Sequence, residues 1–287
     1  MKKIVVDSKY FSIKDTLECG QIFRFRPYEK GYLVFSKNKC AYCYNEGDSA
    51  IINCADNDEE YFYNFFDLGR DYSVIVNAAN NFGIQFLSTC ANQGKGIRIL
   101  NQNTEETLFS FIVSQNNNIP RIKGSIEKLC AIYGEKIYGE FGDYFAFPCA
   151  EKLAEADENS LKSAGLGYRV TYIKSVANEI VKGFSVDALK SLSTTELKYR
   201  LISLKGVGEK VADCVTLFGF HRADSFPVDT WIEKVYKENF DGKETDRKKI
   251  TTYFLDKFGE NSGYFQQYLF YYKRSLEPWA KEKKNKK

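Results

Sequence analysis

The sequence predicts an α+β protein in which an N-terminal antiparallel β-sheet domain is followed by an all-helical domain. Three observations predict it. Early in the chain, apolar and polar residues alternate in short segments separated by turn residues, the pattern of a sheet with one face buried. From Asp56-Asn57-Asp58-Glu59-Glu60 onward the apolar positions recur instead at helical spacing. And 287 residues suffice for two cores of ordinary size. The boundary is drawn at residue 100, giving a sheet domain with flanking helices over 1–100 and a helical domain over 101–287.

The strand segments come first, at 20–26, 31–35, 41–44 and 50–54, each with a period near two. The helical stretches follow, with apolar faces formed by Leu108, Phe109, Ile112 and Val113, by Ile126, Leu129 and Cys130, and by Ile173, Val176, Ala177 and Ile180. A further helix is expected from Thr230 to about residue 238, because Asp229 is a good N-cap after a proline and a β-branched residue. The tail at 281–287 holds five lysines, one glutamate and one asparagine, and reads as a solvated, disordered end.

Charge is mixed, at 41 basic against 38 acidic residues. Residues 1–100 hold 12 of each, so 29 basic against 26 acidic residues remain beyond them. Any polyanion must therefore be held by a local patch and by backbone amides rather than by bulk charge. The eight cysteines are scattered, which favours reduced thiols in a cytosol over a disulfide framework. Cys40 and Cys43 have zinc-like spacing, but His221 is the sole histidine and no second cysteine pair stands at finger spacing; the pair reads as strand thiols and no metal site is expected. No apolar run approaches the ~18 residues of a membrane span, and a cytoplasmic protein without membrane contact is expected.

The chemistry concentrates in one stretch, Leu204-Lys205-Gly206-Val207-Gly208-Glu209-Lys210-Val211-Ala212-Asp213-Cys214, followed by Pro227-Val228-Asp229. Gly206 and Gly208 allow a tight turn to approach another backbone, and the helix after them presents free N–H groups and the positive end of its dipole to a phosphate. A bare Gly-x-Gly is equally an ordinary link between packed helices; Leu204, Lys210 and Ala212 lift this one above that. Lys210, Cys214 and Phe218 share a helix face. A lysine among apolar neighbours yields more neutral amine for attack on an electrophilic carbon, though a lysine here could also simply touch a phosphate. Asp229, 19 residues beyond Lys210, serves as a helix cap and, if partly desolvated, can stabilise positive charge developing on a sugar.

This hairpin resembles the helix-hairpin-helix, Gly-Pro-Asp signature of base-excision DNA glycosylases, in the version whose lysine attacks the sugar. Further segments are similar to eukaryotic-type 8-oxoguanine DNA glycosylases: Gly20-Gln21-Ile22-Phe23-Arg24, the run from Leu108 through Asn116-Asn117-Asn118-Ile119-Pro120-Arg121-Ile122, Gly165-Leu166-Gly167-Tyr168-Arg169, and Gly263-Tyr264-Phe265-Gln266-Gln267-Tyr268-Leu269-Phe270. The resemblance implies a bifunctional DNA glycosylase and AP lyase that excises 8-oxoguanine opposite cytosine, acting as a monomer on double-stranded DNA, without a cofactor, in the cytoplasm or at a nucleoid. It implies that the damaged base is turned out into a pocket. Lys210 would be the nucleophile and Asp229 would stabilise the transition state. Cys214 and Phe270 would sandwich the base, Gln266 would bond its Watson–Crick edge, and the Gly20 carbonyl would accept the N7 hydrogen that guanine lacks. Asn116 would fill the gap in the duplex, Tyr168 would wedge the stack, and Arg121 and Arg169 would read the orphaned cytosine, with Gly206 and Gly208 on the phosphate.

The chain departs from that family pattern at Lys205, where a proline is common, at Trp231, where a histidine near the DNA backbone is common, and at Phe218, which is bulkier than an aliphatic residue. The alternative is an endonuclease III-like glycosylase for oxidised pyrimidines. Such relatives commonly end in four cysteines holding an iron–sulfur cluster, and no cysteine follows Cys214. Whether a metal ion sits on the hairpin carbonyls is left open by the sequence.

Overall fold

The computed structural model describes residues 1–276; the basic tail expected to be disordered, 281–287, lies outside the described residues. The chain opens with β1 (Lys2–Asp7) and a short helix α1 (Ile13–Glu18), then β2 (Phe25–Tyr28), β3 (Gly31–Ser36), β4 (Lys39–Glu46) and β5 (Ser49–Cys54). These five strands form one antiparallel sheet in the order β1-β5-β4-β3-β2. The alternation seen in the sequence has its expected effect: Val34, Ala41, Cys43, Ala50 and Ile52 face a core closed by Phe11, Leu17 and, from α2 (Glu59–Phe65) and its end, Phe62, Phe65 and Phe66. Leu33, Phe35 and Tyr42 turn to the other face and meet Phe141 and Tyr144.

Two features of this half differ from the expectation. β1 and α1 are absent from the strand segments read off the sequence, and residues 20–24 are not strand. Gly20 sits at φ +92°, a left-handed conformation that ends a strand. The buried Gln21 then spends its side chain on distant backbone, donating to the carbonyls of Thr16 (2.9 Å) and Arg98 (2.7 Å) and accepting from the Leu100 N–H (2.9 Å). Its own carbonyl accepts from Gln102 (2.7 Å). Cys19 and Phe23 consequently dock into the helical core.

The remaining helices are α3 (Tyr72–Asn80), α4 (Gln85–Gln93), α5 (Thr104–Ser114), α6 (Ile119–Tyr133), α7 (Ala150–Glu155), α8 (Glu158–Ser163), α9 (Val170–Val181), α10 (Thr194–Ile202), α11 (Glu209–Phe218), α12 (Thr230–Asn239), α13 (Arg247–Phe258) and α14 (Ser262–Leu276). α5 is buried from Thr107 to Ser114 on every side and packs against α6, α9 and α11, which marks it as the central helix. α14 packs on α4, α12 and α13. Ile75, Val76, Leu87 and Cys90 of α3 and α4 belong to the same core as Phe265 and Leu269, so these two helices join the helical body although they precede residue 100. No described helix is long and apolar enough to cross a membrane.

Candidate active site

The hairpin joins α10 to α11. Gly206 adopts φ +87°, and a Cβ there would lie 2.2 Å from the Tyr172 ring, while its carbonyl accepts the side-chain amide of Gln115 (2.9 Å). Gly206 is therefore clamped between α9 and the turn after α5. Gly208 is the exposed N-cap of α11, and the space where its Cβ would stand is open, so another backbone can come close to the start of that helix. Gly206→Ala is expected to cost roughly 2–5 kcal/mol, from the left-handed backbone and the displaced ring, whereas Gly208→Ala costs no more than about 1 kcal/mol. Thermal denaturation of the two variants side by side checks this.

Lys210 lies in the first turn of α11, half-buried, with its ammonium 6.0 Å from the centre of the Phe111 ring. One and two turns later come Cys214 and Phe218, both buried. Phe218 stacks on Phe111 with centroids 5.6 Å apart. Burial pushes the Cys214 thiol up to about 11, against the pull of the neighbouring Lys210 ammonium. It stays protonated at neutral pH and offers a small, polarisable surface.

Asp229 caps α12 through one oxygen: Oδ1 accepts from the N–H groups of Trp231 (2.9 Å) and Ile232 (3.0 Å). Both bonds fall on that oxygen, which leaves Oδ2 for other work. Burial raises the carboxyl above its usual range, opposed by the cap bonds and by Lys210. Lys210 and Asp229 line the same recess without closing an ion pair within 4.0 Å. The recess, about 50 Å³, is walled by Gly20, Phe111, Lys210, Cys214, Phe218, Pro227, Asp229, Gln266 and Phe270. Gln266 is 4% exposed; its Nε2 donates to the Pro227 carbonyl (3.1 Å) and its Oε1 is buried with no partner. An amide oxygen buried without a protein partner is costly unless something else bonds it. At Gly20, a Cβ would stand 3.0 Å from Arg274 Nη1 and 3.4 Å from the Phe270 ring, and the backbone is at φ +92°, a conformation that favours glycine in this wall.

The six residues expected around a base and its sugar thus converge from four separate parts of the chain. The other expected residues form a second group on the outside. Asn116, exposed and at φ +45°, tops the turn between α5 and α6; Arg121 is exposed on the first turn of α6; Tyr168 is 53% exposed beside Tyr172. Arg169 differs from its neighbours in being buried. Its guanidinium donates to the carbonyls of Gln115 (Nε, 2.8 Å), Asn116 (Nη2, 3.0 Å) and Leu166 (Nη1, 3.3 Å), so it holds the turn in place and must release it to reach a base. Phe111 and Pro227 lie within segments quoted from the sequence but were not expected to line the site, since an apolar residue beside a functional one looks like any core position. Lys205 is exposed, and the Trp231 ring carries the Lys234 ammonium at 4.8 Å. Cys40 and Cys43 are paired-strand thiols on β4, and no group of three or more potential ligands among the described residues is placed to hold a metal.

Residues 109–260 match the family of HhH-GPD superfamily base excision DNA repair proteins, and residues 3–108 match the 8-oxoguanine DNA glycosylase N-terminal domain. The chain is 27% identical over 236 residues to a probable N-glycosylase/DNA lyase of Methanothermobacter thermautotrophicus, covering 75% of this chain and 73% of that one. It is 38% identical over 159 residues to the N-glycosylase/DNA lyase of Saccharomyces cerevisiae, covering 51% of this chain and 42% of the yeast protein. Among solved structures it is similar to the Clostridium acetobutylicum 8-oxoguanine glycosylase/lyase bound to double-stranded DNA with cytosine opposite 8-oxoguanine, at 34% identity and a TM-score of 0.88, covering 95% of this chain and 98% of that one. With the glycine hairpin, the lysine and the capping aspartate in place, the chain belongs to the HhH-GPD superfamily of base excision DNA repair proteins, in the group that carries the 8-oxoguanine DNA glycosylase N-terminal domain.

Proposed function

We propose that this protein is a bifunctional DNA glycosylase and AP lyase that removes 8-oxoguanine opposite cytosine from duplex DNA. The observation that carries the reading is the recess itself: a primary amine and a half-buried carboxylate at one end, and Cys214, Phe270, the unpaired Gln266 oxygen and the Gly20 backbone around the rest. Residues 1–100 supply Gly20, and residues 101–287 supply the chemistry. The compartment follows the substrate, being the cytoplasm and, in a prokaryote, its nucleoid.

In this reading the base is swung out of the stack and slots between Cys214 and Phe270. At about 50 Å³ the recess is smaller than the roughly 150 Å³ cavity that admits one benzene, so a purine enters only as the wall yields. The Lys210 nitrogen, having lost a proton, bonds to C1′ while the C1′–N9 bond breaks and the base departs with a proton. Asp229 opposes the positive charge that builds on the sugar. Opening of the ring bond to O4′ gives the Schiff base, and loss of a C2′ proton then expels the 3′ phosphate and cuts the strand. Outside the recess, Asn116 and Tyr168 would hold the duplex open, Arg121 and a released Arg169 would read the orphaned cytosine, and the hairpin at Gly206 and Gly208 would hold a phosphate.

Selectivity follows from one atom. 8-Oxoguanine carries a hydrogen on N7 that the Gly20 carbonyl can accept, whereas guanine offers a second acceptor there; two facing acceptors in a dry recess cost roughly 1–3 kcal/mol, or about ten- to a hundredfold. Single-turnover assays on duplexes carrying 8-oxoguanine, guanine or thymine glycol test the reading. The expected result is excision of 8-oxoguanine far faster than of either other base. Equal rates on thymine glycol would overturn it in favour of an endonuclease III-like activity.

A further inference from the structure

The two walls of the recess come from opposite ends of the chain, and one face of α14 holds them together. Gln266 and Phe270 point into the recess from that helix. The adjoining stripe, Gln267, Tyr271 and Arg274 at i, i+4 and i+7, faces the segment that ends in Gly20. Gln267 Nε2 donates to the Cys19 carbonyl (3.0 Å), Tyr271 Oη donates to Asp15 Oδ1 (2.7 Å), and Arg274 Nη2 donates to the Glu18 carbonyl. The two backbone acceptors lie at the C-terminal end of α1, where helix carbonyls lack partners of their own. Arg274 also lies over the Phe270 ring, 5.3 Å from its centre, and its Nη1 is buried beside Gly20 with no acceptor.

We infer that Tyr271 and Arg274 are specificity-positioning residues: by pinning α1 and Gly20 to α14, they set the distance between the Gly20 carbonyl and the Gln266–Phe270 wall. This rests on the proposed recognition of 8-oxoguanine in that recess. A hydrogen bond accepted by the Gly20 carbonyl from a base hydrogen weakens once the wall shifts out of hydrogen-bonding range, and Cys19 and Gln267, beside the two walls, are 248 positions apart in the chain, so covalent connection cannot hold that spacing. Neither residue touches Lys210 or Asp229. Loss of the clamp therefore harms recognition of a base and spares chemistry on a site that has none.

The test compares Tyr271→Phe, Arg274→Met and the double variant with the parent chain on two duplexes, one with 8-oxoguanine opposite cytosine and one with a preformed abasic site. Each single change should slow 8-oxoguanine excision by about tenfold and the double change by up to about a hundredfold, while cleavage at the abasic site stays within about twofold. The preference for 8-oxoguanine over guanine should narrow in step, and Arg274→Lys, which keeps a donor for the Glu18 carbonyl, should restore part of it. Retained abasic-site cleavage doubles as proof that each variant is folded. An equal loss on both duplexes, or no loss on either, overturns the clamp. If the parent chain itself spares 8-oxoguanine, the functional reading falls first and the clamp with it.

Discussion

Replacing Lys210 with glutamine is expected to abolish the covalent adduct that borohydride traps between this protein and 8-oxoguanine duplex, and to slow base release on the order of 10,000-fold or more. The side chain stands in the first turn of α11 and lines the recess near Phe111 and Asp229, without an ion pair to Asp229. Glutamine keeps the length and polarity of that arm and removes the nucleophile. DNA binding should persist, because the hairpin backbone, Asn116 and Tyr168 stay where they are, and a gel-shift assay beside the trapping assay separates the two effects. Trapping that survives the substitution would move the nucleophile to another amine.

Asp229→Asn is expected to give the second largest loss, about a hundredfold to a thousandfold in excision rate, the usual scale for removing one preorganised electrostatic group. Asparagine caps a helix about as well as aspartate, so the bonds to Trp231 and Ile232 can survive and the loss isolates the charge. The pH dependence has a definite sign. Burial raises the Asp229 carboxyl above the ordinary value, so excision by the parent protein should fall on acidification at a higher pH than a free carboxylate would give, and this limb should vanish in the asparagine variant. Stability should move the other way. The folded chain holds this proton more tightly than the unfolded chain, so ionising Asp229 costs the fold stability as pH rises past the unfolded value. The asparagine variant should therefore melt no lower than the parent at neutral pH while its activity collapses. A lower melting point joined to an intact pH profile would show that Asp229 acts only as a cap.

Much of the candidate site was legible because its parts are local. Glycine at 206 permits φ +87° and at 208 opens a helix, and each property belongs to one or two consecutive residues. The strands at 31–36, 39–46 and 49–54 were legible for the same reason, since a period of two is written in neighbours. Residues 20–26 were read as strand and begin one only at Phe25, because Gln21 is committed to Arg98 and Gln102, 77 and 81 positions away. Arg169 was expected, beside Tyr168, to read the orphaned cytosine; that its guanidinium is held by the carbonyls of Gln115, Asn116 and Leu166, the first two more than 50 positions back, is not written in its neighbours.

By itself the sequence determined the inventory: an amine one turn into a helix after a glycine hairpin, an aspartate that must cap the next helix, and a glycine at the head of a segment of alternating apolar and polar residues. Only the tertiary structure decided that these meet, that Lys210 and Asp229 share a recess without neutralising each other, and that α14 fastens Gly20 to Phe270. The reason is the range of the forces. Turn and cap preferences act between adjacent residues and can be read in order, whereas the recess is shaped by packing among segments as far apart as Cys19 and Gln267, each contact weak and effective only in sum.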